Sequence, residues 1–345
     1  MDIKPLLSSI ELELQKQVSR LDQPNTKSFH EMLTYHMGWT GDGADPEATG
    51  KRIRPLLVLL NCASTAGIDL PKEQGLLNPP LSAALPAAAA VELVHNFSLV
   101  HDDIQDNSPR RRGRDTVWAK WGVPMAINVG DALFVLSNQA IIDLKENYPA
   151  EIVNKAAEIL HNTCLDLTRG QFLDMSYEGR NDLKVDDYWP MIAGKTAALL
   201  SACCHIGSVL GGADEVRQDA FKSFGQYLGL AFQIQDDILG IWGNEAVTGK
   251  SVAGDLVEGK NSLPILAGLS TDKKFAKRWR QGPIHAFEVA EMAKLLATEG
   301  GYEMAHNASI QMTDLALLNL READPQGEAG DALFDLAEKL LKREQ

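Results

Sequence analysis

The sequence predicts an all-α protein. Apolar residues recur at three-to-four spacing through long segments, alternating runs of β-branched residues are scarce, and Gly and Pro clusters fall where helices should end. The periodic segments are residues 53–66, 83–106, 122–145, 150–178, 187–211 and 214–242, all rich in Ala, Leu, Ile and Glu. Breakers run from Gly67 to Pro80, Asn107 to Gly113, Gly122 to Pro124 and Gly243 to Pro264. Residues 38–50, with Gly38, Gly41, Gly43, Pro46 and Gly50, read as a Gly-rich polar loop. Residues 323–330 read as another, before a last amphipathic helix. The Ala-rich stretch from Leu81 to Val100 is apolar around most of its circumference, which places it centrally or in an interface. No solenoid repeat and no dividing linker is visible, so one large helical bundle of about a dozen helices over residues 1–345 is expected.

Bulk composition narrows the function. A chain of 345 residues buries enough apolar surface for one large core. Its 45% hydrophobic and 23% charged residues are ordinary for a globular protein. No run approaches 18 to 20 uncharged apolar residues, so no transmembrane segment is expected. The start, Met1-Asp2-Ile3-Lys4, lacks the basic-then-apolar pattern of a signal peptide. A net charge of −14 argues against nucleic acid as a partner. It also means that any anionic substrate must be met by local cations or metal ions. Cys62, Cys164, Cys203 and Cys204 fit neither a disulfide framework nor a zinc site. They read as buried reduced thiols, and the compartment as cytoplasmic.

Two acidic segments carry the chemistry. In Asp102-Asp103-Ile104-Gln105-Asp106, at the end of an apolar helix, Asp102 and Asp106 lie one turn apart on one face, with His95 two turns before Asp102. Two carboxylates at that spacing repel by roughly 3 kcal/mol at an effective dielectric of 20. A hard cation relieves this, and carboxylates without His or Cys suit Mg²⁺, which keeps waters and takes further ligands from phosphate. The alternative is a solvated acidic helix end. The second segment, Phe232-Gln233-Ile234-Gln235-Asp236-Asp237, also follows an apolar run, and Gln233 shares a face with Asp236. Two such pairs in one chain make coincidence a poor explanation.

Cations alternate with the acidic segments. Arg110, Arg111, Arg112 and Arg114 follow the first, and Lys250 and Lys260 flank Asp255 after the second. Gly50-Lys51-Arg52-Ile53-Arg54-Pro55 lies upstream, and Lys195-Thr196 opens an apolar stretch. Guanidinium forks match phosphate oxygens and lysine acts as a point charge. Each cluster alone reads better as a solvated basic loop; their alternation in an acidic chain argues for a metal–diphosphate site.

These motifs resemble the trans-isoprenyl diphosphate synthases, or polyprenyl synthetases, from about residue 50 to 265. The likeness rests on the two acidic segments, Arg111-Arg112-Gly113, Asn128-Val129-Gly130-Asp131, Gly170-Gln171 with Asp174, Lys195-Thr196, Gly249-Lys250, Asp255-Leu256, Gly259-Lys260 and Leu263-Pro264. The resemblance implies an all-α isoprenoid-synthase bundle around a central cavity, usually a homodimer, with both acidic segments facing one diphosphate. It implies that Lys51, Arg54, His95 and Arg112 hold isopentenyl diphosphate, and that Arg111, Lys195, Thr196, Gln233, Lys250 and Lys260 hold the allylic diphosphate. Asp102, Asp106 and Asp236 would ligate Mg²⁺, three ions per site, with Asp103 and Asp237 supporting. One departure stands out: the third aspartate common four residues after Asp236 is Gly240 here.

Product length reads from residues below the first motif. The two-residue insertion typical of short-chain bacterial farnesyl synthases is missing between Asp103 and Asp106. Phe97 and Ser98 stand five and four residues before Asp102, and an aromatic at the fifth position resembles synthases that stop near twenty carbons. Geranylgeranyl diphosphate is the expected product, with farnesyl as the nearest alternative and Phe97 as ordinary core the structural one. Rival functions are a class I terpene cyclase or head-to-head enzyme on the same scaffold, and a non-catalytic subunit that modulates a partner synthase.

Overall fold

The computed structural model describes residues 3–71, 77–243 and 254–341. Its regular structure is almost wholly helical, in chain order α1 (Lys4–Val18), α2 (Lys27–His36), α3 (Pro46–Thr49), α4 (Ile53–Ala66), α5 (Pro79–Gln105), α6 (Val117–Trp121), α7 (Val123–Ile142) and α8 (Ala150–Tyr177). There follow α9 (Val185–Ile192), a π-helical turn (Ala193–Ala197), α10 (Ala198–Leu210) and α11 (Glu215–Trp242). The last helices are α12 (Gly254–Glu258), α13 (Leu263–Ser270), α14 (Lys274–Trp279), α15 (Val289–Thr298), α16 (Gly301–Glu322) and α17 (Gly327–Leu341). The all-α class is as the periodicity requires. Two features were not expected. The loop after α5 holds a two-residue antiparallel ribbon, β1 (Arg110–Arg111) and β2 (Arg114–Asp115). The segment 187–211 is helical without a break over Val185–Leu210, as expected, but it passes through a π turn at Ala193–Ala197.

The chain's contacts gather in two compact units. The first comprises Met1–His161, Cys203–Gln218 and Pro325–Leu333. Within it α5 is the central helix, packed against α7, α4 and α1. Its Ala84, Ala87, Ala88, Ala90, Val91 and Val94 are fully buried, which is why it can be apolar all round. Small Ala side chains let neighbouring helices approach closely on several sides. The second unit comprises Asn162–Ala202, Asp219–Asp324 and Phe334–Gln345. Its inner helix is α13, buried from Leu263 to Leu269 and packed chiefly on α16, α14 and α9.

The expectation of no membrane-spanning segment needs correcting on length and composition. Pro79–Gln105, Val123–Glu146 and Val185–Leu210 are each long and apolar enough to cross a bilayer. A mean hydropathy tolerates an occasional charge that an unbroken-run criterion does not. The apolar windows of the first and third are 78% and 72% buried inside the protein, that of the second 44%. The first and third therefore direct most of their apolar surface into the interior. All four cysteines are buried and free. Burial pushes the Cys62 and Cys203 thiols up to about 12 and Cys164 up to about 11, so they stay protonated and unreactive.

Candidate active site

In the first unit, the end of α5 fixes three carboxylates. Asn107 takes a left-handed conformation (φ 50°), its N–H bonds the Ile104 carbonyl at 3.2 Å, and the Ser108 N–H bonds the Asp103 carbonyl at 2.9 Å. This is a Schellman cap, and it locks the turn that carries Asp102, Asp103 and Asp106. A helix C-terminus already presents partial negative charge, so carboxylates there are disfavoured unless a cation comes. The three are not equivalent. Asp103 is buried and accepts from Arg111 Nε at 2.8 Å, whereas Asp102 is half-buried and Asp106 exposed. Burial raises the Asp103 pKa against the lowering pull of Arg111.

The ribbon behind α5 aims the arginines. Arg112 and Gly113 both have positive φ (51° and 74°), as a two-residue turn of the type that matches strand twist requires. Arg112 reaches back to donate to the Ala48 carbonyl at 2.9 Å. Its guanidinium lies against Gly50, where a Cβ would approach it to 2.7 Å. Arg54, at the start of α4, completes a cationic cluster around His95. Burial first, then Arg54, Arg112, Arg111 and Arg52, hold His95 well below the ordinary histidine range, so it is neutral. Arg54 and Arg112 thus lie within electrostatic reach of His95. Lys51 stands exposed beside them in sequence.

Two members of this region carried no distinguishing sequence signal. Arg52, in a left-handed conformation (φ 49°), is buried and donates to Glu11 Oε1 at 2.5 Å and Glu92 Oε1 at 2.8 Å. Its charge is spent inside the protein, which separates it from its neighbours Lys51 and Arg54. His36, in the last turn of α2, lines a small cavity with Tyr35, Leu99, Asp103, Arg111 and Arg112. Burial, then Arg111, Arg112 and Arg52, lower it from 6.5 to about 3. The unfolded chain therefore binds a proton below pH 6.5 that the folded chain refuses until about 3. Stability from this group is full above 6.5 and falls as pH drops through that window. At pH 5 the loss is about 2 kcal/mol, and His95 acts in the same sense. Urea midpoints at pH 7 and pH 5 should show it, and His36→Gln should flatten the slope. A variant with an unchanged slope would refute the assignment.

Below the first acidic segment, the Phe97 ring packs edge-on to His101 (centroids 5.6 Å) and tilted on Phe134 (5.1 Å). Ser98 is tied to the His95 carbonyl at 2.8 Å. Gly130 explains part of its motif: a Cβ there would meet His101 Nε2 at 2.2 Å.

In the second unit, the π turn and α11 build one hydrogen-bonded chain. The Thr196 hydroxyl and Gln233 Oε1 are 2.7 Å apart, and Gln233 Nε2 donates to Asp237 Oδ1 at 2.9 Å. Asp237 Oδ2 accepts from the Tyr188 hydroxyl at 2.7 Å and from the Leu263 N–H, at the start of α13, at 3.1 Å. Burial pushes Asp237 up to about 7 despite these donors. Asp236 beside it is only half-buried. The two acidic segments share a logic: the second aspartate of each pair is committed internally and the first stays closer to solvent. Lys195 pairs with Asp174, and Lys260 with Glu258 at 2.9 Å. Lys250 lies outside the described residues. Tyr188 was not anticipated, because only the fold shows a phenol of α9 meeting α11.

The donors fit a hard divalent ion. They are carboxylate oxygens, and among the described residues no three His, Cys, Asp or Glu side chains form a ready-made metal cage. Mg²⁺ suits such a site, since it retains waters and completes its shell from phosphate.

Known proteins agree with this architecture. A family profile described as polyprenyl synthetase matches residues 45–297. A geranylgeranyl diphosphate synthase of Mycobacterium tuberculosis is 37% identical over 91% of this chain and 86% of its own length. A (2E,6E)-farnesyl diphosphate synthase of that organism is 40% identical over 73% of this chain, which spans 65% of that protein's length. The crystal structure of a polyprenyl synthetase from Streptomyces coelicolor superposes with a TM-score of 0.82 at 34% identity, with 96% of each chain covered. A profile match over most of the chain, joined to a relative of this identity and coverage, leaves one conclusion: the chain belongs to the polyprenyl synthetase family.

Proposed function

We propose that the chain is a prenyltransferase that condenses isopentenyl diphosphate head-to-tail with dimethylallyl, geranyl or farnesyl diphosphate. The product is geranylgeranyl diphosphate, with farnesyl diphosphate as the nearest alternative; relatives of both kinds match the chain. The observation that carries the reading is the arginine cluster on His95 in a chain of net charge −14. A terpene cyclase does not need a second diphosphate site of this kind. A non-catalytic subunit would be expected to lose aspartates, and Asp102, Asp103, Asp106, Asp236 and Asp237 are all present. In this reading residues 1–345 act as one catalytic domain, cytoplasmic and homodimeric. The buried thiols support the first location, and the exposed Val123, Met125, Ile127 and Val135 of α7 support a self-associating face.

The assigned roles follow the chemistry. Lys51, Arg54, neutral His95 and Arg112 hold isopentenyl diphosphate. Arg111, Lys195, Thr196, Gln233, Lys250 and Lys260 hold the allylic diphosphate. Asp102, Asp106 and Asp236 would ligate Mg²⁺, three ions per site, while Asp103 and Asp237 keep Arg111 and Gln233 in place. Held by these carboxylates, Mg²⁺ would supply positive charge opposite the negative charge that builds on the departing diphosphate. Lysine and arginine donors stabilise the same charge without reorganising. With Gln233 Nε2 committed to Asp237 and its Oε1 to Thr196, this pair presents oxygen toward a developing allylic cation. The isopentenyl double bond attacks that cation, and the released diphosphate takes the proton, so no side-chain base is required.

Incubation with isopentenyl diphosphate, Mg²⁺ and each allylic diphosphate in turn, followed by chain-length analysis, tests the reading. Turnover of allylic diphosphate alone would overturn it in favour of a cyclase, and activity only with a second protein in favour of a subunit. Phe97→Ala should shift the distribution to products at least one five-carbon unit longer. An unchanged distribution would make Phe97 ordinary core.

A further inference from the structure

Tyr188 and Thr196 lie on one helical run, Val185–Leu210, and both grip α11. Their targets, Asp237 and Gln233, are four residues apart and so share a face of α11. Tyr188 and Thr196 are eight residues apart, which in an uninterrupted α-helix would leave them about 80° out of line. The π turn at Ala193–Ala197 takes in one extra residue between them and cuts that offset to about 20°. The run can therefore meet α11 at both points. The contacts have a direction. The Leu263 N–H can only donate, so Asp237 Oδ2 accepts it at 3.1 Å, beside the Tyr188 hydroxyl at 2.7 Å. Asp237 Oδ1 accepts from Gln233 Nε2 at 2.9 Å, and Gln233 Oε1 accepts from the Thr196 hydroxyl at 2.7 Å. A carboxylate that accepts at both oxygens fixes which end of the amide faces it. A reversed amide would turn Nε2 toward Thr196 and place donors where the site needs acceptors. Tyr188 is 1% exposed and Asp237 6%, so bulk water does not stand in for the phenol.

We propose that Tyr188 is a positioning residue: by donating to Asp237 Oδ2 it holds that carboxylate against Gln233, and so keeps the Gln233 and Thr196 oxygens directed at the allylic cation. The proposal rests on the prenyltransferase reading for that cation. Tyr188 acts through Asp237 and Gln233 and not on the substrate. Without its hydroxyl, Oδ2 keeps the Leu263 N–H alone of these two donors, the carboxylate can turn about its Cβ–Cγ bond, and the amide is no longer pinned.

The test compares two geranyl diphosphate analogues on the full-length protein with Mg²⁺, by titration calorimetry. One carries a protonated tertiary amine at C3, where the cation develops, and the other a neutral saturated carbon. Tyr188→Phe keeps the ring, which packs edge-on to Trp189 with centroids 5.6 Å apart, and removes only the hydroxyl. It should weaken the ammonium analogue about tenfold, as loss of a hydrogen bond to a charged group does, and the neutral one less than about twofold. Turnover should fall by a similar factor of about ten, with KM for both diphosphates nearly unchanged. Gln233→Leu should lose the same preference, and Tyr188→Phe added to it should cost little more, because the two act as one unit. Equal weakening of both analogues, unchanged affinities in Tyr188→Phe, or full additivity with Gln233→Leu would overturn the proposal. So would a wild type that binds the two analogues alike. A wild type that prefers the ammonium analogue but makes no product with isopentenyl diphosphate would refute the prenyltransferase reading instead, and the same comparison still decides Tyr188.

Discussion

Asp102→Ala should cut turnover by on the order of 10³-fold, about 4 kcal/mol of transition-state stabilisation, while leaving the fold in place. The expectation follows from how the α5 terminus divides its carboxylates. Asp102 is half-buried at the end of a helix whose Schellman cap is made by backbone groups, so the substitution leaves the cap intact. Alanine is also a better helix former than aspartate, and removal of one like charge eases the repulsion with Asp106. Stability in urea should therefore stay within about 1 kcal/mol of the wild type. Asp103→Ala is the contrasting case. It strands Arg111, whose Nε now pairs with a buried carboxylate at 2.8 Å, and should lose about 2 kcal/mol of stability along with activity. The pair of measurements separates a carboxylate that serves substrate from one that serves the scaffold. Near-normal activity in Asp102→Ala would remove the first acidic segment from the mechanism.

That division was only half legible in the sequence. Like charges at the ends of two apolar helices signal a cation, because a solvated acidic helix end explains one such pair more readily than two in one chain. Which member of each pair stays accessible depends on groups distant in the chain: Arg111 on the ribbon for Asp103, Tyr188 and the Leu263 N–H for Asp237. No spacing rule carries that information. Most helix limits did read correctly, since α4, α8 and α11 begin and end within a residue or so of their apolar periods. The π turn inside the 187–211 helix was not legible, because it adds a single residue and leaves the apolar spacing almost unaltered. Arg52 and His36 escaped for another reason. Arg52 looks like its neighbours Lys51 and Arg54 until Glu11 and Glu92 are seen around it, and one histidine at a helix end has no pattern to belong to.

The π turn gives the second large effect, through Gly170. This glycine lies well inside α8, where alanine would ordinarily stabilise a helix by about 1 kcal/mol. Here the sign should reverse. A Cβ at 170 would sit 2.1 Å from the Lys195 nitrogen, 2.6 Å from the Gly194 carbonyl carbon and 2.8 Å from Lys195 Cα. All three are backbone atoms, so no rotamer change makes room. The π turn must move away from α8, and it carries both Lys195, paired with Asp174, and Thr196, bonded to Gln233 at 2.7 Å. Gly170→Ala should cost about 3 kcal/mol of stability, the upper end for overpacking. It should also slow turnover by about 10²-fold, as a displacement near 1 Å of positioning groups does. Urea denaturation and steady-state kinetics on the same preparation decide the matter. A variant more stable than the wild type would mean that α8 and the π turn are not in contact at Gly170, and the positioning of Lys195 and Thr196 would then need another cause.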